Sequence, residues 1–425
     1  MLVKQPSKRS RTYGALELLQ RPATFTVAAY DASKASKEAA DYICDGTADQ
    51  VQIQAAIDAL PSSGGSIALS EGAFTLTATV TINRSNVIVK GQGHATKVQA
   101  AAGSEALDLF DCGDGITQRD WLAFSDLCLS SVNQKTAGAA LTFNKCFGVW
   151  CRNVYLEKQY RGIWVLNTHQ FTLVASDLRD FKEHGVVVET AYRAAVEWHF
   201  IDVWMDNPNV VNTGAGIWWL GGEGLYVQSV TIQRCNIGFL VAPANDTECR
   251  WGFIDQLLCD TNLDCGIKVT NAGAPYGDVH GITFTNCWAG TNPHFGFLVE
   301  KPGASEVTSI RLIGCKSMHN GWAGIRIAGG KDNSIDNCDV FSNGDAEAGV
   351  HDGISIGDGI GEFSIRGCRS GNGADHGATQ RYGICVGLGA ADYYLILGND
   401  CRNNVTGGIL DLGEGANKVV EHNLA

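Results

Sequence analysis

The sequence contains little proline, little methionine and few charged residues. Its 425 residues include 8 Pro and 3 Met, and only 18% are Asp, Glu, Lys or Arg. This composition, with 45% hydrophobic residues, excludes intrinsic disorder and a coiled coil, since both require many charged residues. No stretch approaches the ~20 apolar residues of a membrane-spanning helix. We therefore expect an ordered protein without a membrane partner.

Positive charge is also scarce. The chain has 32 Lys and Arg against 45 Asp and Glu, which gives a net charge of -13. A nucleic-acid backbone requires clustered Lys and Arg, so we expect no nucleic-acid partner. Residues 4–11 are basic, but the apolar run that follows, Leu16–Leu19, is short and contains Glu17, so no signal peptide is predicted. We expect synthesis in the cytoplasm, followed by association with a virion or release by lysis.

Glycine, by contrast, is abundant, with 51 residues. Many glycines precede two apolar residues in alternation, and these markers recur 22 to 31 residues apart. The series consists of Gly162, Gly185, Gly216, Gly238, Gly266, Gly296, Gly324, Gly353, Gly383 and Gly408. Short alternating runs rich in β-branched residues lie between the markers, and helical periodicity is nearly absent. Equivalent strands one repeat apart must stack in parallel, so the pattern predicts a β-solenoid of about 11–12 coils.

Cysteine and asparagine recur in phase with the glycine marker. A strand that ends in Cys appears at Cys235, Cys259, Cys287, Cys315, Cys338, Cys368 and Cys401. One Cys per repeat lacks the paired spacing of a metal site, so we interpret these residues as buried thiols and predict no metal. Asn follows four or five residues later in several coils, at Asn292, Asn320, Asn343 and Asn372. These residues predict a ladder of stacked Asn at one corner.

The repeats are preceded by one helical segment. Thr47 and Gln50 fit a capping box, and Pro61 ends a helix predicted over about residues 48–60. Its apolar face is expected to comprise Ile53, Ile57 and Leu60. We predict an N-terminal arm and lead-in over residues 1–40 and one solenoid domain over residues 41–425.

The string DGTADQVQIQAAIDALPSSGGSIALSEGAFTL, followed by SNVIVKGQG, resembles the N-terminal part of the pectate-lyase-like superfamily. The resemblance implies an all-β, right-handed parallel β-helix with a short N-terminal capping α-helix. Its members include pectate and alginate lyases, polygalacturonases, uronan epimerases and phage tailspike depolymerases. The Asp-Pro-His string of alginate epimerases and the Asp-Asp pair of polygalacturonases are missing. Because no helix follows Gly408 to cover the last strands, we expect subunit contacts or the N-terminal arm to shield them, in a homotrimer that resembles tailspikes.

Candidate catalytic residues occur where the Cys pattern is interrupted. Counting back from the glycine marker places Asn153, Asp177 and Asp202 at the Cys position of earlier coils. Adjacent coils lie about 4.8 Å apart, so Asp177 and Asp202 would face each other near the ~5–5.5 Å spacing of retaining glycosidases. Such proximity separates the two pKa values and makes one group the acid. Asp180 and Asp206 offer a second pair, and turn capping is the alternative for both.

The same coils are rich in aromatic residues, which stack on the apolar faces of sugars. The candidate substrate-binding residues are Trp198, His199, Trp204, Trp218, Trp219, Tyr226, Trp251 and Arg179. Packing in the core is the alternative for each Trp, because large aromatic side chains are highly buried on average.

These observations and the resemblance together predict a polysaccharide partner and an endo-acting glycan depolymerase of the glycoside hydrolase type, either on a phage tail or of bacterial origin. A lyase or epimerase that acts on a uronan such as alginate or pectate is the alternative, with a base and a cation from the His and Arg residues of the same coils. No cofactor is expected, except Ca2+ in the case of a lyase. A non-catalytic glycan-binding fibre, anchored through the N-terminal arm to a larger assembly, is a further alternative.

Overall fold

The computed structural model describes residues 23–190, 195–244, 247–272, 277–373, 377–389 and 391–425. Within these residues, parallel strands from successive coils join into two sheets, sheet A with 22 strands and sheet B with 13. One continuous cluster of apolar side chains fills the interior along the array. The chain is therefore an all-β parallel β-helix, as the sequence predicts.

The strands are numbered in chain order. Sheet A contains β1 (Ala23–Ala28), β2 (Tyr42–Ile43), β3 (Gly65–Leu69), β4 (Gly72–Leu76), β6 (Val87–Ala100), β8 (Arg119–Ser131), β10 (Cys146–Glu157), β12 (His169–Arg179), β14 (Ala195–Asp206), β16 (Gly222–Gln233), β18 (Cys249–Asp255), β19 (Leu258–Asp260), β21 (Val279–Thr285), β22 (Trp288–Gly290), β24 (Val307–Ile313), β25 (Lys316–Met318), β27 (Asn333–Asp336), β28 (Asp339–Phe341), β30 (Phe363–Arg366), β31 (Arg369–Gly371), β33 (Tyr394–Leu397) and β35 (Lys418–Glu421). Sheet B contains β5 (Val80–Ile82), β7 (Phe110–Cys112), β9 (Ala139–Asn144), β11 (Arg161–Leu166), β13 (His184–Glu189), β15 (Ala215–Trp219), β17 (Ile237–Val241), β20 (Cys265–Thr270), β23 (Phe297–Glu300), β26 (Ile325–Ile327), β29 (Ile354–Ile356), β32 (Tyr382–Gly389) and β34 (Gly407–Gly413).

Sheet A begins before residue 41, where we expected the solenoid to start. β1 pairs with β3, with Ala23 beside Gly65, so residues 23–28 belong to the first coil. A short helix, α1 (Lys34–Ala39), follows β1. Residues 1–22 of the expected N-terminal arm lie outside the described residues.

The predicted capping helix is present as α2 (Gln50–Asp58), which packs against β1 and β5. Ile53, Ile57 and Leu60 are buried, as the apolar spacing predicts. The capping box is wrong. Asp49 is the residue before the helix, and its carboxylate accepts from the backbone N–H groups of Gly46 at 2.8 Å and Thr75 at 2.7 Å. A carboxylate at this position ties the start of α2 to β4 instead of to its own first turn.

The glycine markers align in one column of sheet B. Each is followed by an inward residue, and the register joins Ile163 to Val186, Val186 to Ile217 and Ile217 to Phe239. The reason for glycine is close approach: a β-carbon on Gly162 would lie 2.4 Å from the carbonyl oxygen of Gly185, and one on Gly185 would lie 2.6 Å from that of Gly216. Glycine therefore allows successive coils to approach at this corner.

Gly238→Ala should destabilise the fold strongly. The new β-carbon would lie 2.5 Å from the Gly266 carbonyl oxygen and 2.7 Å from the Cys259 sulfur, so the next coil must shift. Overpacking of this kind costs about 1–3 kcal/mol, and we expect a loss at the upper end of that range in urea denaturation. Gly377→Ala is the control, because nothing lies within 4 Å of its β-carbon position. Equal losses in both variants would contradict the close-approach explanation.

The predicted Asn ladder is present, but Asn262 also belongs to it and Asn372 does not continue it. The side-chain oxygens of Asn292, Asn320 and Asn343 accept from the backbone N–H groups of the ladder residues one coil earlier, Asn262, Asn292 and Asn320 respectively. Gln380, and not Asn372, continues the ladder, because its Oε1 accepts from the Asn343 N–H at 3.2 Å. Gln380 lies at the C-terminal end of the connection between β31 and β32, and its longer side chain reaches the position that an Asn side chain occupies in the other coils.

All 15 cysteines are free and buried, as the sequence predicts. Only Cys287, Cys315, Cys338 and Cys368 share one column, since the residues that follow them pair in register. Their thiols each donate to a carbonyl of the preceding coil, at 3.4 to 3.5 Å. Cys259 lies two positions further along, beside Ala289.

Candidate active site

The four candidate catalytic Asp residues do not form the predicted face-to-face pairs. Asp177 on β12 lies between Tyr155 of the preceding coil and Trp204 of the next. Asp202 lies one coil on, beside Ala175, and is exposed at a left-handed position within β14, with a φ of 53°. The count back from glycine fails because the connection from sheet A to sheet B differs in length between these two coils. The Asp177–Asp202 pair is therefore wrong.

Asp180 and Asp206 have structural partners. Asp180 has a φ of 52°, and its carboxylate accepts from the backbone and side-chain N–H groups of Asn209, both at 2.9 Å. Asp206 is buried and binds the Arg234 guanidinium through two hydrogen bonds, the first at 2.8 Å. The left-handed φ of Asp180 agrees with the alternative of a turn residue, whereas Asp206 lies within β14 and joins two coils through its ion pair, a role that neither interpretation gave it. The two residues do not form a second carboxylate pair.

The candidate binding residues divide among three locations. Trp198 and Trp219 are completely buried, so they cannot stack on a sugar, and their selection was wrong. Trp218 lies on sheet B, where its ring contacts His184 at 4.8 Å. The remaining members face outward on sheet A, namely Arg179, His199, Trp204, Tyr226 and Trp251. Strand alternation decides between inside and outside, and a one-residue difference inverts it.

Three of the outward rings form a stack along sheet A. The rings of His199 and Tyr226 are 4.7 Å apart and nearly parallel, and Tyr226 lies 5.3 Å from Phe253. Thr283 follows Phe253 in the same column, and a groove of about 330 Å³ opens beside the stack. Trp204 and Trp251, each nearly half exposed, face outward on the same sheet. This surface presents the aromatic rings that sugar binding requires.

Asp177 itself lies in a second cleft of sheet A, of about 450 Å³, which we call the Tyr155 cleft. Its lining comprises His94, Lys97, Cys128, Tyr155, Glu157, Asp177 and Arg179. Four neighbouring strands, β6, β8, β10 and β12, position these groups. Lys97, Cys128, Tyr155 and Asp177 occupy one column, and Glu157 and Arg179 lie two residues further along. The stacking of coils thus brings together polar side chains that lie far apart in the sequence.

The first strand of this cleft contains a bulge. The pairing of β6 with β8 shifts between Lys90 and Gly93 and again between Gly93 and Lys97. The extra residues project His94 outward, and its ring lies 4.5 Å from that of Tyr155. Bulges commonly redirect side chains in this way near active sites.

Hydrogen bonds hold Glu157 in its charged form. Its carboxylate lies 2.9 Å from the Lys97 ammonium and 2.9 Å from the Ser130 hydroxyl. Burial by itself would raise the pKa of Glu157, but the Lys97 and Ser130 hydrogen bonds outweigh burial, and this pKa lies below its usual value. The same contact with Glu157 raises the pKa of Lys97, so both groups are charged at neutral pH.

Asp177 is paired with Arg179 on the same strand. The guanidinium donates from Nε at 3.1 Å and from Nη2 at 2.9 Å. Burial, together with the Glu157 charge, raises the pKa of Tyr155 to about 12, so its phenol is protonated at neutral pH. The cleft therefore combines a neutral phenol and an imidazole with two cations and two carboxylates.

Sequence inspection missed His94, Lys97, Tyr155 and Glu157. The available signal was the pair of glycines at Gly91 and Gly93 within a strand run, which indicates a bulge as well as a turn. Tyr155 and Glu157 carry no local signal, because only the stacking of coils brings them beside Asp177.

The described ranges contain no group of three or more His, Cys, Asp or Glu residues that could hold a metal ion. In the same part of the chain, no helix is long and apolar enough to cross a membrane.

A family model described as a right handed beta helix region matches residues 261–425. A search of curated proteins finds no significant match.

The tailspike protein of E. coli bacteriophage HK620, in complex with a pentasaccharide, is 10% identical with a TM-score of 0.62, and the alignment covers 96% of this chain and 79% of the tailspike chain. The catalytic unit of an α-1,3-glucanase from Streptomyces thermodiastaticus is 14% identical with a TM-score of 0.54, over 90% of this chain and 67% of the glucanase chain. The A-module of mannuronan C-5 epimerase AlgE4 from Azotobacter vinelandii is 17% identical with a TM-score of 0.50, over 93% of this chain and 100% of the module. The predicted right-handed parallel β-helix fold is thus confirmed.

Proposed function

We propose that this protein acts on an acidic polysaccharide bound along sheet A. In the Tyr155 cleft it either cleaves the chain by β-elimination at a uronate unit or epimerises that unit at C5. The composition of the cleft supports this function over hydrolysis. Hydrolysis of a glycosidic bond requires a protonated carboxyl group, whereas hydrogen bonds from Lys97 and Ser130 hold the pKa of Glu157 below its usual value, and the Asp177 carboxylate is occupied by Arg179.

The chemistry begins with proton abstraction from the carbon next to the uronate carboxylate. Lys97 and Arg179 would bind that carboxylate and stabilise the charge that develops on it. An ammonium has three N–H donors and a guanidinium five, so each cation can bind substrate in addition to its protein carboxylate. His94, which lies against Tyr155, is placed to accept the proton.

In elimination, the C–H bond at C5 and the C4–O4 bond break, and a double bond forms between C4 and C5. The proton from C5 goes to His94, and Tyr155 donates its phenolic proton to the departing O4. In epimerisation the C4–O4 bond stays intact, and Tyr155 donates its phenolic proton to C5 on the face opposite the one that loses its proton to His94. Both outcomes use a protonated phenol, which the raised pKa of Tyr155 provides.

Hydrolysis is a second candidate because of one feature of the same cleft. Glu157 and Asp177 lie on adjacent coils two residues apart in register, which gives a backbone spacing of about 8 Å, comparable with the ~6.5–9.5 Å between the carboxyl groups of inverting glycosidases. The glucanase with this fold supports this alternative. The pentasaccharide-bound tailspike and the mannuronan epimerase support a polysaccharide ligand in either case.

The test is incubation with pectate, alginate and neutral glucans, followed by mass spectrometry, in water labelled with ¹⁸O and separately in D2O. Elimination produces ultraviolet-absorbing unsaturated ends without uptake of water, and epimerisation introduces one solvent deuteron without chain cleavage. One ¹⁸O atom at each new reducing end would establish hydrolysis and overturn the elimination mechanism. Binding with unchanged glycans would identify a non-catalytic fibre.

The same assay with two Asp variants tests the location of the site. Asp177→Asn should reduce kcat/KM by about 10²-fold, because Arg179 loses the charge that orients it toward the substrate. Asp202→Asn is the matched control: it is one coil away and exposed at a left-handed position where Asn is tolerated, and it should retain full activity. Loss of activity in Asp202→Asn with retention in Asp177→Asn would place the chemistry elsewhere.

Homotrimer formation, attachment through the N-terminal arm, virion association and a Ca2+ requirement stay predictions.

A further inference from the structure

A separate cleft of about 450 Å³ lies on sheet B, in coils near the C-terminal end of the described chain. Its floor is a column of outward residues in successive coils, Arg326, Ser355 and Cys385. The Tyr155 cleft lies on sheet A in earlier coils, so the two do not share a residue. We call this second site the Arg326 cleft.

The two arginines in this cleft differ in their partners. Arg381 donates from Nε and Nη2 to the buried Asp352 carboxylate, at 2.9 and 2.8 Å. Arg326 donates from Nη1 to the Ser355 hydroxyl at 2.6 Å, and no ion pair joins it to a carboxylate of any described residue. The remaining acid in the lining, Asp358, accepts from the Leu388 backbone N–H at 3.0 Å. The half-buried Arg326 thus has donors suited to an anionic ligand group.

The walls of the Arg326 cleft are aromatic and aliphatic. The Trp322 ring lies between His294 at 4.0 Å and His351 at 5.7 Å. Aliphatic side chains complete the lining: Leu410 continues the floor column beside Cys385, and Leu388 and Leu412 lie next to it. A cleft with one guanidinium on its floor and apolar walls fits a ring that carries both C–H faces and a carboxylate.

We propose that the Arg326 cleft is a second glycan-binding site, which takes a carboxylate-bearing sugar unit. Arg326 pairs with the carboxylate, and the ring packs between the Trp322–His351 wall and the leucines. This site binds without chemistry and gives an acidic glycan a second attachment point on the opposite sheet. It stands independently of the reaction assigned to the Tyr155 cleft.

Calorimetric titration with glucuronic acid and with glucose tests the site, because these sugars share a ring and differ in the carboxylate. Arg326→Gln should weaken glucuronate binding by at least about 10-fold, since a charge-assisted hydrogen bond is lost. Arg326→Lys keeps the charge without the planar fork and should lose less. Lys268→Gln is the matched control, because Lys268 lies in the same outward column two coils away and pairs with Glu300 at 2.9 Å. It should bind as the wild type does.

Arg179→Gln in the Tyr155 cleft should leave the Arg326-dependent binding unchanged, which separates the two sites. Equal affinity for glucose and glucuronate would overturn the proposal, as would unchanged binding in Arg326→Gln or no binding at millimolar sugar. If a uronan is processed but no binding depends on Arg326, only the proposed binding site is contradicted. If binding depends on Arg326 but no uronan is processed, only the proposed reaction in the Tyr155 cleft is contradicted.

Discussion

Tyr155→Phe is expected to lower kcat/KM on a uronan by about 10²–10⁴-fold, the usual contribution of a general acid. The substitution removes the phenolic proton and keeps the ring, so the contact with His94 and the packing over Arg179 are retained. Because the pKa of Tyr155 is about 12, the wild-type phenol is protonated throughout the neutral and mildly alkaline range. Activity is measured by formation of unsaturated ends and by deuterium uptake.

Tyr226→Phe is the matched control for this loss. Tyr226 is an outward Tyr of the same sheet, stacked between His199 and Phe253, and it lies outside the Tyr155 cleft. Its substitution should leave kcat unchanged, because Tyr226 lies outside the cleft, and should change KM little, because the aromatic face is kept. An equal loss of kcat in both variants would indicate a general effect on the sheet, and full activity in Tyr155→Phe would exclude Tyr155 as the acid.

Asn320→Ala should lower the free energy of unfolding by roughly 2–4 kcal/mol, because it leaves buried polar groups without partners. The Asn320 amide oxygen accepts from the backbone N–H of Asn292 at 3.1 Å and from its side chain at 2.9 Å. Its amide nitrogen donates to the Ala289 carbonyl at 3.1 Å and to Asn343 at 2.8 Å. A methyl group replaces none of these contacts in two neighbouring coils.

Urea denaturation followed by circular dichroism measures this effect. Asn83→Ala is the control, since Asn83 is exposed in the loop after β5 and should change stability little. Asn320→Asp preserves the shape of the side chain but places a carboxyl group in the buried ladder. Burial disfavours the charged form and therefore raises the pKa of the new carboxyl. Its stability should therefore rise as the pH falls and the carboxyl becomes neutral. Equal stability of Asn320→Ala and Asn83→Ala would show that the ladder contributes nothing.

The coil and its ladders could be predicted from the sequence because chemical periodicity equals structural periodicity in a solenoid. Gly238 and Gly266 occupy equivalent places, and each meets the same steric restriction from the next coil. Asn292 and Asn320 recur because an amide can donate and accept along the same column. Repetition makes such local requirements visible without knowledge of the three-dimensional structure.

The sequence indicated the coils in which the candidate site lies, but only two of the residues that line it. Asp177 and Arg179 were selected, and both line the Tyr155 cleft. Trp198 was selected for its aromatic character, but alternation along β14 turns it inward while His199 faces out. Asp202 was paired with Asp177 by counting, but a left-handed residue within β14 and an unequal connection place it beside Ala175.

By itself, the sequence determined that this protein is a β-solenoid, where its coils repeat and which residues stack at the corners. These properties depend on local sterics and hydrogen bonding that recur in each coil. The tertiary structure alone decided that Tyr155, Glu157 and Asp177 share a cleft with His94. Lateral register and a bulge in β6 bring them together, and both depend on the contact between coils and not on the order of residues within one.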